Sequence, residues 1–174
     1  IELVKKLASE GKQVIVWGIF VDTINRIEEE LNNVGIPAKI IYGAIDLEER
    51  EKRIEEFKSK RFKVLITNPH TLAESVSLHD TCHDAVYFEY SFNLTHMLQS
   101  RDRINRLGLP ENQYTQYYYL VLKSINPDED SIDLKTYNRL EEKKDIMLKS
   151  IEGELVESIN FDIIDDIKAI LGKD

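Results

Sequence analysis

The sequence predicts an α/β fold, a parallel sheet with helices on both faces followed by a helical C-terminal tail, and three observations predict it. Short apolar runs rich in β-branched or aromatic residues recur through residues 1–124. Segments with helical spacing lie between them, and no run is joined to the next by a tight two-residue turn. Strands that alternate with helices in this way run parallel, in a sheet covered on both faces.

Strands are expected at residues 14–17, 39–42, 64–67 and 85–90, with a longer fifth at 114–122. Each of the first four is short and rich in β-branched or aromatic residues, and reads as a buried strand. After Asp22, the side chains of Ile24, Ile27, Leu31 and Val34 recur at spacings of three and four, which forms one apolar stripe of a helix. Gly35 and Pro37 are its stop signals. Asp46 followed by Glu49 resembles a capping box, and Ile54 with Phe57 gives the next helix its apolar stripe. Beyond Ser124 the polar stretch NPDEDS marks a hinge. Two amphipathic patterns follow, one through Leu134, Tyr137, Leu140, Met147 and Ile151, the other through Val156, Ile159, Ile163, Ile167 and Ile170. The expected organisation is a lobe over residues 1–124 and an acidic helical extension over residues 125–174 that packs on it.

With 174 residues, 42% of them hydrophobic, the chain holds enough apolar material for one sizeable core. No apolar run approaches the roughly 20 residues that span a bilayer. The polar start IELVKKLASEGK is no secretory signal, so a cytoplasmic location without membrane contact is expected. The single cysteine, Cys82, excludes an internal disulfide framework. Isoleucine in place of an initiating methionine leads to the expectation that the chain was cut from a longer polypeptide. The net charge of −9 is uneven: residues 1–124 carry 16 basic and 18 acidic side chains, residues 125–174 carry 7 and 14. A nearly neutral lobe disfavours nonspecific coating of nucleic acid but leaves room for a local basic face. His70, His79, Cys82 and His83 fit no common zinc spacing, and no nucleophile motif accompanies Cys82.

The chemistry-bearing segment is QSRDRINRLG, residues 99–108. Asn93 or Thr95 can cap a helix before it and Gly108 can end one, which predicts about three turns. At about 100° per residue, Gln99, Arg103 and Arg106 then fall within about 60° of one another. Adjacent like charges on one face are destabilising by a few tenths of a kcal/mol, so they call for an anionic partner. A triphosphate fits, because guanidiniums offer forked donors to phosphate oxygens and neutralise charge that develops in phosphoryl transfer. Charge patterning alone favours solvated or locally paired arginines.

The resemblance of the segment decides between them. It is similar to motif VI of superfamily 2 helicases, most closely that of the Swi/Snf-related group, in which Gln99, Asp102, Arg103, Arg106, Leu107 and Gly108 all fall in step. Other blocks match in order: Val14 to Thr23 resembles motif IV, Ile41 to Ala44 with Phe57 the block after it, and Thr67 to Leu78 motif V. The resemblance implies the C-terminal, second RecA-like lobe, over roughly residues 1–150. It implies that Arg103 and Arg106, with Gln99, serve catalysis and that Glu74, Ser75 and Asp102 lie beside the nucleotide. It further implies that Gly18, Tyr42, Gly43, Thr67, Asn68, His70 and Thr71 touch nucleic acid, duplex DNA above all, through sequence-blind phosphate contacts. Motif V departs from the family: Ser75 stands where a small, glycine-rich stretch is usual and loses some backbone freedom.

No G-x-x-x-x-G-K-[ST] phosphate loop occurs, nor an Asp-Glu pair that closes an apolar strand. ATP and Mg²⁺ are therefore expected only in an intact protein whose first RecA-like lobe supplies those parts, and this chain alone is expected to be inactive. The alternatives are a non-catalytic α/β module that binds nucleic acid or a partner protein, and the corresponding lobe of an RNA helicase.

Overall fold

Alternation along each strand decides which face of the sheet its side chains serve. In the computed structural model, which describes residues 1–73, 76–105, 109–110, 112–126, 129–151 and 163–171, five strands form one sheet. They are β1 (Val14–Trp17), β2 (Ala38–Ile41), β3 (Val64–Thr67), β4 (Asp84–Tyr87) and β5 (Gln116–Tyr119), ordered β2-β3-β1-β4-β5. Every pairing is parallel, with Val14 opposite both Val64 and Asp84. The fold is the expected RecA-like α/β arrangement.

Helices precede β1 and connect β1 to β2 and β2 to β3, and each brings an apolar stripe to one face. Val4 and Leu7 of α1 (Glu2–Ser9) and Ile24, Ile27 and Leu31 of α2 (Val21–Asn33) pack with Val14, Val16, Ile40, Val64 and Ile66. Ile54 and Phe57 of α3 (Leu47–Lys58) pack on the other side with Ile15, Trp17, Ile41 and Leu65. Strands buried on both faces have no solvated alternate position, hence their continuous apolar runs. Gly35 follows α2 at φ +79°, the left-handed conformation its sequence position predicts. The capping box is half formed: Asp46 Oδ1 accepts from Glu49 N at 2.9 Å, while the Glu49 carboxylate turns to Arg53 at 2.8 Å.

The fifth strand is shorter than its sequence suggests. It pairs with β4 only from Gln116 to Tyr119, and Tyr114 and Leu122 lie 74% and 76% exposed on either side. Helix α4 (Leu94–Arg101) is also shorter than expected. Arg103 N and Ile104 N bond to Ser100 O and Arg101 O, a tighter turn than the α-helix, and Ile104 is fully buried. Burying Ile104 takes the chain off the helix axis, so Gln99 and Arg103 do not share one helical face. Arg106 and Gly108 lie outside the described residues.

Two compact units are present, Ile1–Tyr90 with Thr95–Leu120, and Ser91–Leu94 with Val121–Asp174. The second contains α5 (Ile132–Ile151) and α6 (Ile163–Leu171). Val156 and Ile159 of the expected second pattern lie outside the described residues. On α6, Ile170 is buried as its pattern predicts, and so is Asp166, whose carboxylate accepts from Arg139 Nε at 3.0 Å and from Lys143 Nζ. Lys143 also donates to the Phe92 carbonyl at 3.3 Å, which ties residues 91–94 to this unit. Among the described residues no helix is long and apolar enough to cross a membrane.

A buried carboxylate paired with two cations is costly to break from one side. Asp166→Ala should destabilise the second unit by about 3–5 kcal/mol in guanidinium unfolding, whereas Asp166→Leu combined with Lys143→Met should recover much of that loss.

Candidate functional site

Because the strands are parallel, their carboxyl ends share one edge, and the loops that leave it carry the sequence-predicted nucleic-acid residues. Their side chains are not equally available. Thr67 ends β3 fully buried, so its hydroxyl does not reach the surface, and its carbonyl accepts from Gly18 N at 2.9 Å. Asn68 closes the next turn with its own side chain, Oδ1 accepting from Thr71 N at 2.8 Å. This leaves the carboxamide nitrogen of Asn68, the Thr71 hydroxyl and the exposed His70 ring as the polar groups of that turn. The His70 ring meets His96 of α4 edge to face, centroids 4.1 Å apart.

Gly18 has a packing role. A Cβ there would stand 2.9 Å from Ile24 Cγ1, so only glycine lets the loop lie this close to α2. The expectation that this loop contacts phosphate through its amides meets a competitor in the Glu89 carboxylate. Its Oε2 accepts from Ile19 N at 2.8 Å and Phe20 N at 3.0 Å, and its Oε1 from Thr23 Oγ1 at 2.8 Å. Phe20, at the N-cap of α2, has no side-chain acceptor to offer; Glu89, from the far end of β4, fills that role. After β2, Arg50 donates to the carbonyls of Ile45 and Gly43 at 2.5 and 2.6 Å, which orders the loop holding Tyr42 and the exposed Gly43.

The sequence-predicted nucleotide side is built by a staple between two loops. Leu78 N donates to Arg103 O at 2.8 Å, and Arg103 Nη1 lies 3.5 Å from Val76 O. Val76 and Leu78, on the loop that leaves β3, are thereby joined to the turn after α4. Gln99 and Asp102 are exposed at this end of α4, and Arg103 is half-buried. Glu74, Ser75 and Arg106 lie outside the described residues.

Sequence reasoning missed what fixes α4. The Tyr87 hydroxyl is 2.7 Å from Ser100 Oγ, which also donates to Met97 O at 2.7 Å. The Arg101 guanidinium lies over the Tyr117 ring at 4.6 Å, and the Tyr117 hydroxyl donates to Arg101 O at 3.2 Å. Tyr87 in turn stacks on Tyr119 at 4.5 Å. The run of three tyrosines in β5 is the sequence signal for this support. Arg101, for all its charge, is a packing residue.

Among the described residues, Cys82 and the histidines form no metal-holding group. Burial pushes the Cys82 thiol up to about 12, so no thiolate is present near neutrality. Burial also lowers the His83 pKa. Among the described residues no group of three or more His, Cys, Asp or Glu side chains could hold a metal ion.

Residues 1–108 match the family model described as helicase conserved C-terminal domain. Among solved structures, the chain is similar to the C-terminal part of the Fun30 ATPase domain, at 17% identity and a TM-score of 0.67, over 88% of this chain. At that identity the likeness is one of fold, and the chain spans 53% of that structure's length. No curated protein sequence matches.

The His70–His96 contact gives a pH test. Burial, with a smaller contribution from His70, lowers the His96 pKa, so the folded chain binds fewer protons there than the unfolded one. The stability that this difference confers is complete above the ordinary histidine range and is lost as pH falls through that range to the lowered value. Between about pH 7 and about pH 5, His96→Gln should therefore lose less stability than the parent chain in chemical denaturation.

Proposed function

Because the chain belongs to the helicase conserved C-terminal domain family, we propose that it is the second motor lobe of an ATP-dependent DNA translocase of the Swi/Snf-related kind. The reading assigns two jobs to one edge of the sheet. Asn68, His70 and Thr71, with Tyr42 and Gly43, hold a phosphate backbone without reading sequence. Gln99, Asp102 and Arg103, with Glu74, Ser75 and Arg106 beyond the described residues, meet a nucleotide whose phosphates and Mg²⁺ are cradled by a first lobe. The observation that carries the reading is the staple from Leu78 N to Arg103 O, because it puts the turn bearing Arg103 directly against the loop that leaves β3.

ATP supplies the phosphoryl group, and this chain would present to it the exposed carboxamide of Gln99 and the guanidinium of Arg103, which also donates to Val76 O. Such a donor set fits a terminal phosphate and no catalytic base. Closure of two lobes around the nucleotide, and their release after hydrolysis, would alternate the grip on DNA. The whole assembly would be cytoplasmic. A non-catalytic nucleic-acid or protein-binding α/β module is a second reading, favoured by the engagement of the Ile19 and Phe20 amides by Glu89.

Two measurements separate these readings. The chain alone should hydrolyse no ATP and should bind duplex DNA weakly, with affinity that falls steeply with salt and not with sequence. Joined to a first lobe, Arg106→Ala should lower turnover by about 10³–10⁵ while the fold and most DNA binding persist. Turnover within a few-fold of the parent would make Arg106 a structural residue and leave the binding module as the better account.

A further inference from the structure

The nearly neutral charge of residues 1–124 conceals a basic feature at the opposite edge of the sheet. There, the end of α1, the end of α2 and the residues that lead into β2 and β3 enclose an open groove of about 620 Å³. Its floor is apolar: Val34 is 47% exposed, beside Ile36 and Pro37. Lys5, Lys6 and Lys63 rim it. Lys5 is paired with Glu2 at 3.2 Å, but Lys6 and Lys63 form no ion pair among the described residues. Lys60, on the turn before Lys63, adds a further cation to this end, and Arg61 reaches Glu56 only at 4.0 Å.

Lysines beside helix C-termini often answer the last free carbonyls. Here three of the last four carbonyls of each helix are already engaged. On α1, Lys6 O, Ala8 O and Leu7 O accept from Glu10 N, Gly11 N and Lys12 N at 3.1, 3.1 and 3.2 Å. On α2, Glu30 O, Asn32 O and Leu31 O accept from Val34 N, Gly35 N and Ile36 N at 3.3, 3.0 and 2.9 Å. The ammonium groups of Lys6 and Lys63 are thus left for an external anion. A nucleic-acid backbone would use the cations and leave the apolar floor uncovered. A peptide with carboxylates spaced by apolar side chains would use both.

We propose that this groove docks an acidic segment of a partner protein in which aspartate or glutamate residues are interspersed with aliphatic or aromatic ones. The site lies at the amino ends of the strands, away from the carboxyl-end loops, and stands whether or not the lobe belongs to a motor.

Fluorescence anisotropy with the full chain tests it, using a labelled peptide of Asp and Glu interspersed with Leu and Phe, a second peptide with serine at the apolar positions, and a labelled DNA duplex. At about 20 mM salt the Leu/Phe peptide should bind more tightly than the serine peptide, since screening is then weak. Lys6→Glu with Lys63→Glu should weaken that binding by at least about tenfold and leave duplex affinity within about twofold. Lys6→Gln with Lys63→Gln, a milder change, should give an intermediate loss at an unchanged melting temperature. The proposal is overturned if the parent binds neither peptide, if it binds both equally, if the charge-reversed chain binds as the parent does, or if only duplex affinity falls.

Discussion

All five strands run the same way, and that single constraint shapes most of the molecule. Parallel neighbours cannot be joined by tight turns, so each connection needs a crossover, and the crossovers cover both faces. Both faces being covered, Val14 to Trp17 and Val64 to Thr67 are buried at every position. The same direction gathers every outgoing loop on one edge. A site assembled from residues as far apart in sequence as Asn68 and Arg103 is possible because the segments that bear them leave the same edge of the sheet, from β3 and β4 on either side of β1.

Collecting the loops is not enough to order them, because each leaves backbone donors and acceptors without sheet partners. The chain meets that need with its own side chains and backbone. Glu89 takes the amides of Ile19 and Phe20, Asn68 takes that of Thr71, Arg50 bridges two carbonyls before α3, and Leu78 meets Arg103 directly. The ordering has a consequence for function. Donors committed to internal acceptors are no longer free for phosphate, and the candidate grip narrows to the turn at residues 68–71 and the loop at 42–43.

The sheet was legible because burial on both faces writes itself as an uninterrupted apolar run; VIVW and VLIT match β1 and β3 residue for residue. The end of α2 was legible because Gly35 takes the left-handed conformation. The end of α4 was not, since helical periodicity continues through QSRDRINRLG while the core needs Ile104. Nor did the sequence announce Glu89, which acts 70 residues away on Ile19, or the inward turn of Asp166 on a helix where Ile170 is buried but Ile164, Ile167 and Leu171 are exposed. Long-range pairing of polar groups leaves no local period. In the candidate site, residue types and order pointed to segments that the structure brings to one edge of the sheet, but a helical wheel could not supply the geometry of Gln99 and Arg103.

Two arginines two residues apart offer the most direct test of whether this edge serves a nucleotide. Arg101 is stacked on Tyr117, whereas Arg103 stands on the staple to the loop after β3. In the protein joined to its first lobe, ATP turnover and melting temperature should be measured for Arg101→Ala and Arg103→Ala side by side. The account predicts that Arg103→Ala lowers turnover by about 10³ or more with little change in melting temperature, and that Arg101→Ala mainly lowers melting temperature. Full turnover in Arg103→Ala would contradict it.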